Sequence, residues 1–186
     1  KSTLARLMIG LERPSEGRVL INGVDTTKWG LREWRKYRGK IQAVFQDAGG
    51  TLNPSWSTSK NVEEALVNLT DLSPSQRKNR IAELMEQTGL SKSPLDTPVR
   101  KLSGGEQRRL ALLRSLSISP EFLILDEVTA GLDLISTEAV LQLLEKYEQE
   151  HDCAYLVITH DIQVASRLCE VIYEIEHGKF TKKAVR

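Results

Sequence analysis

Leu4, Leu7, Met8 and Leu11 recur at the spacing of one helical face, so the chain is predicted to open with a helix from Ser2 that ends near Gly10 and Pro14. An extended run, Arg18 to Ile21, then meets Asn22-Gly23, a dipeptide that accepts positive φ and so marks a tight hairpin. A basic amphipathic helix follows, and Ile41 to Phe45 reads as a strand. From Asn53 to Ser119 the texture changes: three helical patterns, around Ser57 to Leu69, Ser75 to Leu90 and Ser103 to Ser117, come with no convincing strand between them. Pro74 and Ser75 are expected to start the second of these and Gly89 to stop it. The strand pattern resumes at Phe122 to Leu125. A helix is predicted from about Leu134 to Glu150, with Ile135, Ala139, Val140, Leu143, Leu144 and Tyr147 on one side. Ala154 to Thr159 (strand), Ile162 to Cys169 (helix) and Val171 to Ile175 (strand) complete the pattern.

Short apolar strands alternating with helices predict an α/β body whose mostly parallel sheet is covered on both faces. Its parts are residues 1–52 and 119–186, and residues 53–118 form an inserted helical lobe within one domain. Neither an internal repeat nor a low-complexity segment is visible.

Composition narrows the function classes. At 186 residues and 40% apolar, the chain can bury one substantial core with a smaller lobe attached. Lys and Arg number 26 against 25 Asp and Glu, so no global field draws it to nucleic acid or anionic lipid. The richest basic stretch, Arg32, Arg35, Lys36, Arg38 and Lys40 around Trp34 and Tyr37, is better explained as a solvated helix face. Cys153 and Cys169 form no CxxC pair and no His stands at metal-ligand spacing, which fits two small buried apolar side chains in a reducing compartment. No run approaches the roughly 18 apolar residues of a membrane span. A membrane role would therefore need partners.

Three stretches carry chemistry. Lys1-Ser2-Thr3 opens a helix and matches the end of GxxxxGK[ST], in which backbone N–H groups and a helix N-terminus hold phosphates. On that reading Lys1 reaches the β- and γ-phosphates, Ser2 gives a hydroxyl to Mg²⁺, and Thr3 lies at the phosphate-facing first turn. The triplet alone is common by chance. Phe122 to Leu125 is an apolar strand that ends in Asp126 and Glu127, and packing requires no carboxylates there. Acids at the carboxyl end of a parallel strand lie where α/β proteins bind ligands, which suits Asp126 as the Mg²⁺ holder and Glu127 as the base for an attacking water. The third stretch runs Lys101-Leu-Ser-Gly-Gly-Glu-Gln-Arg-Arg109. Ser103 and Glu106 make a capping-box pattern, yet Gly104 and Gly105 in the first turn cost helix stability. A bare backbone at a helix start lets an anion approach, so Ser103, Gly104, Gly105 and Glu106 are candidates for a second phosphate site.

This third stretch resembles the signature of the ABC-transporter ATPase family, LSGGQ followed by basic residues just upstream of an acidic strand. The resemblance spans the whole chain, since Gln46 looks like the Q-loop glutamine, Gly131-Leu132-Asp133 like the D-loop and His160 like the switch histidine, all in family order. It implies a P-loop NTPase fold, ATP and Mg²⁺ as ligands, Gln46 and His160 beside Glu127 in hydrolysis, and Gln46 together with Ser2 and Asp126 near the metal. Two such subunits are then expected to face head to tail, with Ser103, Gly104 and Gly105 of one opposing Lys1, Ser2, Gln46, Asp126, Glu127 and His160 of the other. Asp133 would reach the second protomer. Glu106 stands where the family more often has Gln, and Val128 where it has Pro; both leave the phosphate chemistry intact. The resemblance also implies that the glycine-rich half-loop and an adenine-stacking aromatic lie upstream of Lys1, without which ATP is not bound normally.

Val44-Phe45-Gln46-Asp47 with Leu52-Asn53-Pro54 is similar to the importers of peptides and nickel or a metal chelate. That subfamily implies two transmembrane permease subunits, an extracytoplasmic solute-binding protein, a place at the cytoplasmic face of the membrane and no nucleic-acid partner. The same Leu-Asn-Pro step is similar to ATPases of phosphonate breakdown, which act in a soluble enzyme assembly. ABC ATPases of DNA repair or translation are a further alternative. A binding-only module is disfavoured by the presence of Glu127 and His160.

Overall fold

The computed structural model describes residues 1–47, 49–88, 90 and 96–185. Helix α1 (Ser2–Met8) leads to a small antiparallel hairpin, β1 (Leu20–Ile21) and β2 (Val24–Asp25). Asn22 and Gly23 occupy its turn with φ of 50° and 78°, the left-handed pair that a two-residue hairpin needs. Helix α2 (Leu31–Tyr37) buries Trp34 and leads into β3 (Ile41–Val44). Next come a short 3-10 turn (Gly49–Thr51), α3 (Thr58–Leu69), α4 (Pro74–Gln87), a second 3-10 turn (Val99–Lys101) and α5 (Gly104–Ser117). The rest is β4 (Phe122–Asp126), α6 (Leu134–Glu150), β5 (Ala154–Ile158), α7 (Ile162–Leu168), β6 (Val171–Glu176) and β7 (Lys179–Val185).

The central sheet runs β3-β4-β5, all parallel, with Ile41 opposite Phe122, Val44 opposite Leu125 and Asp126 opposite Ile158. β4 is its middle strand, and Leu123, Ile124 and Leu125 are completely buried. Leu123 and Leu125 enter one hydrophobic cluster with α3, α4, α5 and α6, whereas Ile124 enters another with Ala5 of α1, Ile9 just past its end, Ile41 and Ile158. Alternation along a strand thus supplies both faces with core. Burial of each such Leu or Ile is worth about 1.5–3 kcal/mol, so the sheet's carboxyl edge stands on a rigid base.

Helix α5 shows how one element serves two ends. Its second half is apolar on nearly every side, and Leu110, Leu112, Leu113 and Leu116 are fully buried. Such all-round burial holds a helix inside a core. Its first turn is polar and faces outward.

Several predicted elements differ in detail. Ala5 of α1 and Ile9, just past its end, face the core, while Leu11 is 59% exposed. The helix closes at Met8 and Gly10 turns the chain with φ of 70°, so Leu11 never reaches the helical face its spacing suggested. Ile135 is 85% exposed although its spacing put it with the buried side of α6. It lies in the first turn, beyond the reach of the core that Val140, Leu143 and Leu144 enter. Helix α4 does start at Pro74, as expected, and Ser73 caps it: its hydroxyl accepts from the Gln76 amide. Gly89, expected to stop that helix, lies outside the described residues. Val171 to Ile175 is a strand, yet β6 joins β7 in an antiparallel hairpin and not the parallel sheet. His177 and Gly178 supply the turn, with φ of 49° and 78°. Cys153 is buried, and burial pushes its thiol up to about 11, in line with an inert apolar role. Among the described residues no helix is long and apolar enough to cross a membrane.

Candidate active site

The carboxyl edge of the parallel sheet gathers four of the residues singled out by sequence. Asp126 closes β4 and is only 2% exposed, and among the described residues its Oδ1 has no hydrogen-bond partner. A buried carboxylate oxygen without a donor is costly unless something positive meets it. Glu127 follows at φ of 54°, a left-handed conformation that costs a non-glycine residue of order 1 kcal/mol or more. Its amide donates to the Ile158 carbonyl at 2.8 Å, and its own carbonyl accepts from Ala130 at 3.0 Å. The strained residue is therefore held from both sides. The turn aims its carboxylate at His160, whose Nδ1 lies 2.9 Å from Oε2. An ionised carboxylate can only accept, so the imidazole is the donor. Glu127 keeps 16% of its side chain exposed and His160 keeps 73%, which leaves the pair open to solvent on one side. Lys1 reaches the same edge: its Nζ donates to the Thr159 carbonyl at 2.8 Å, just past β5.

Ser2 and Thr3 begin α1, the former half-buried and the latter exposed. Gln46 is exposed beyond β3, and with the described residues its side chain makes no hydrogen bond. Its carbonyl instead accepts from Arg108 Nη2 at 3.2 Å.

The first turn of α5 forms a second, separate constellation. Glu106 Oε2 accepts from the Ser103 amide at 2.8 Å and from the Ser103 hydroxyl at 2.7 Å, and the Glu106 amide donates back to Ser103 Oγ at 3.3 Å. The two adjacent glycines have different neighbours. A Cβ on Gly104 would meet nothing within 4 Å, whereas one on Gly105 would come within 3.2 Å of Ser136 Oγ and 3.7 Å of Leu132. Close packing explains Gly105; only Gly104 presents bare backbone to the outside. Asp133 caps α6 by accepting from the Ser136 amide at 2.8 Å and the Ser136 hydroxyl at 3.0 Å, and those bonds hold its carboxyl below the usual Asp range. Ser136 thus links the Asp133 turn to Gly105.

One residue here had no distinct signal in the sequence. Arg108 stands among the basic residues after the glycines, and only the fold brings its guanidinium to the carbonyls of both Gln46 and Ala130.

A parallel α/β sheet with an acidic carboxyl edge, beside a helix opening on Lys-Ser-Thr, defines the P-loop NTPase class. The chain matches the ABC transporter family over residues 1–130. It is 35% identical to the nickel import ATP-binding protein NikE of Rhodospirillum rubrum over 184 residues, covering 99% of this chain and 66% of that protein. It is also 35% identical to NikE of Escherichia coli (strain K12) over 185 residues, covering 100% of this chain and 69% of that protein. The dimeric post-hydrolysis structure of the ATP-binding cassette MJ0796 bound to ADP and Pi superimposes with a TM-score of 0.88 at 32% identity, covering 100% of this chain and 80% of that one. The chain belongs to the ABC transporter family. It spans about two thirds of the length of the curated relatives it matches.

Proposed function

We propose that this chain is the ATP-hydrolysing part of an importer subunit for nickel, a metal chelate or peptides. The observation that carries the catalytic half is the Glu127–His160 pair beside the buried, unpartnered Oδ1 of Asp126. Glu127 takes the proton of the attacking water, and His160 holds the carboxylate in line by donating to Oε2. The left-handed turn at Glu127 fixes that geometry before substrate arrives. Lys1, Ser2 and Thr3 bind the phosphates of ATP. Asp126, with Ser2 and Gln46, would hold Mg²⁺, and its orphaned oxygen suits a hard cation that keeps one or two protein carboxylates and completes its shell with phosphate and water. When bound, Mg²⁺ neutralises charge on the phosphate oxygens.

The first turn of α5 serves a second copy of the chain or a paralogue. Ser103 and Gly104 face outward and, with the main chain of Gly105 beside them, meet the γ-phosphate of ATP held on the opposite protomer, with Glu106 next to them and Asp133 reaching across. Open space at Gly104 and the adjacency of the Asp133 turn support this arrangement. Residues 53–118 act as a helical lobe that moves relative to the catalytic body, residues 1–52 and 119–186. Closure on ATP and opening after hydrolysis pass through the segment after Gln46 to two permease subunits, at the cytoplasmic face of the membrane. A solute-binding protein on the other side delivers the solute. The nickel assignment draws on the NikE relatives together with the Leu52-Asn53-Pro54 step.

The deciding experiment is Glu127→Gln in the full-length protein. Steady-state ATPase activity is expected to fall by roughly 100-fold or more while ATP binding is kept. Turnover within about two-fold of the parent would exclude the general-base role.

A further inference from the structure

Helix α5 holds the segment after β3 by its main chain, and one of its side chains grips a second loop at the same time. Arg108 Nη2 donates to the Gln46 carbonyl at 3.2 Å, and Nη1 donates to the Ala130 carbonyl. Ala130 closes the turn that starts at Glu127, because its amide donates to the Glu127 carbonyl at 3.0 Å. One guanidinium therefore spans the segment that carries Gln46 and the turn that carries Glu127. Arg114, further along α5, fastens the far end of the first segment: it donates to the Thr51 carbonyl at 3.0 Å and to Glu64 Oε2 on α3 at 2.7 Å. Gln46 and Thr51 are thus each tied by a main-chain carbonyl to an arginine of α5.

We propose that Arg108 is a positioning residue for ATP hydrolysis, setting the register between Gln46 and the Glu127 turn within one chain so that neither moves without the other. This rests on the reading of Gln46 and Glu127 as hydrolytic residues. The chemistry suits arginine in particular. Its planar fork presents several N–H donors in fixed directions and stays charged, so two carbonyls on different loops can be held at a set separation. A lysine has one nitrogen on a flexible stem and cannot fix that separation. Main-chain carbonyls are also acceptors that no side-chain substitution at 46 or 130 removes.

Arg108→Ala and Arg108→Lys in the full-length protein test this by two readouts. Without nucleotide, amide hydrogen exchange should accelerate in both 46–51 and 128–132 in the Ala variant, and thermal stability should stay close to the parent's. With saturating ATP, kcat should drop by about ten-fold or more while the KM for ATP changes by less than about three-fold, because misplaced groups slow the step more than they weaken binding. Arg108→Lys should recover less than half of the lost rate. Unchanged exchange in either segment would overturn the bridge. A kcat within about two-fold of the parent, or full rescue by lysine, would overturn the positioning role. A parent protein that fails to hydrolyse ATP would sink the hydrolytic reading instead, and the exchange data would tell that failure apart.

Discussion

On the proposed function the carboxyl edge of the sheet and the first turn of α5 both meet phosphate, and they are built in opposite ways. At the sheet edge Asp126 is 2% exposed with an oxygen lacking any partner, and Glu127 is held in a left-handed turn. That edge carries cost, and a bound cation and nucleotide would relieve it. At α5, Ser103 and Glu106 satisfy each other, the turn is exposed, and Gly104 looks into open space. Nothing there is strained. On the proposed function, a helix cap that is complete but open to solvent acts only when another surface arrives, whereas the sheet edge acts within the single chain. On that proposal, chemistry belongs to the first region and recognition across an interface to the second.

Ser103→Arg would break this division most severely. Turnover of the full-length protein should fall to background, while nucleotide binding to the separated monomer, followed by equilibrium titration, should match the parent. Loss of monomer binding would place the α5 turn in the same chain's nucleotide site and end the contrast. The two glycines offer a finer probe, read by chemical denaturation. Gly104→Ala should raise stability by up to about 1 kcal/mol, since alanine suits a helix better and no neighbour opposes it. Gly105→Ala should be less stable than Gly104→Ala, because its Cβ would sit 3.2 Å from Ser136 Oγ. If Gly104→Ala is more stable yet turns over ATP more slowly, the bare backbone serves a visitor and not the fold. The smallest effect concerns Asp133. Hydrogen bonds from Ser136 hold its carboxyl below the ordinary Asp value. Its contribution is therefore present above that value and lost as pH falls through the depressed folded one. Asp133→Asn should flatten the acid limb of the stability profile and leave neutral stability little changed. An unaltered acid limb would mean that the cap does not discriminate the ionised form.

Much of this was legible beforehand where a local rule has no competitor. Asn22-Gly23 and the Ser103–Glu106 capping box need only neighbouring residues, and both formed as their types dictate. Helix α6 was bounded correctly at both ends because Asp133 caps it and its apolar spacing is long. Misreadings fell where spacing was followed past the end of packing, as at Leu11 and Ile135, and where strand pairing had to be chosen. His177-Gly178 carried the signal for the β6–β7 hairpin, a two-residue turn with glycine, but an apolar strand after a helix reads equally well as another parallel strand. Asp126, Glu127 and His160 were identifiable as candidates; that Glu127 and His160 touch was a matter of β4 and β5 ending side by side.

Sequence alone determined the family and the order in which strands and helices follow, and it marked candidate residues for the chemistry, because motif spacing and hydrophobic period are properties of the chain itself. Only the tertiary structure decided that Asp126 is left with a bare oxygen, that Gly105 is packed while Gly104 is open, and that Arg108 joins Gln46 to the Glu127 turn. Each of these depends on residues from different elements meeting at one edge, and such meetings are set by the packing of β3, β4, α5 and α6, not by any local preference.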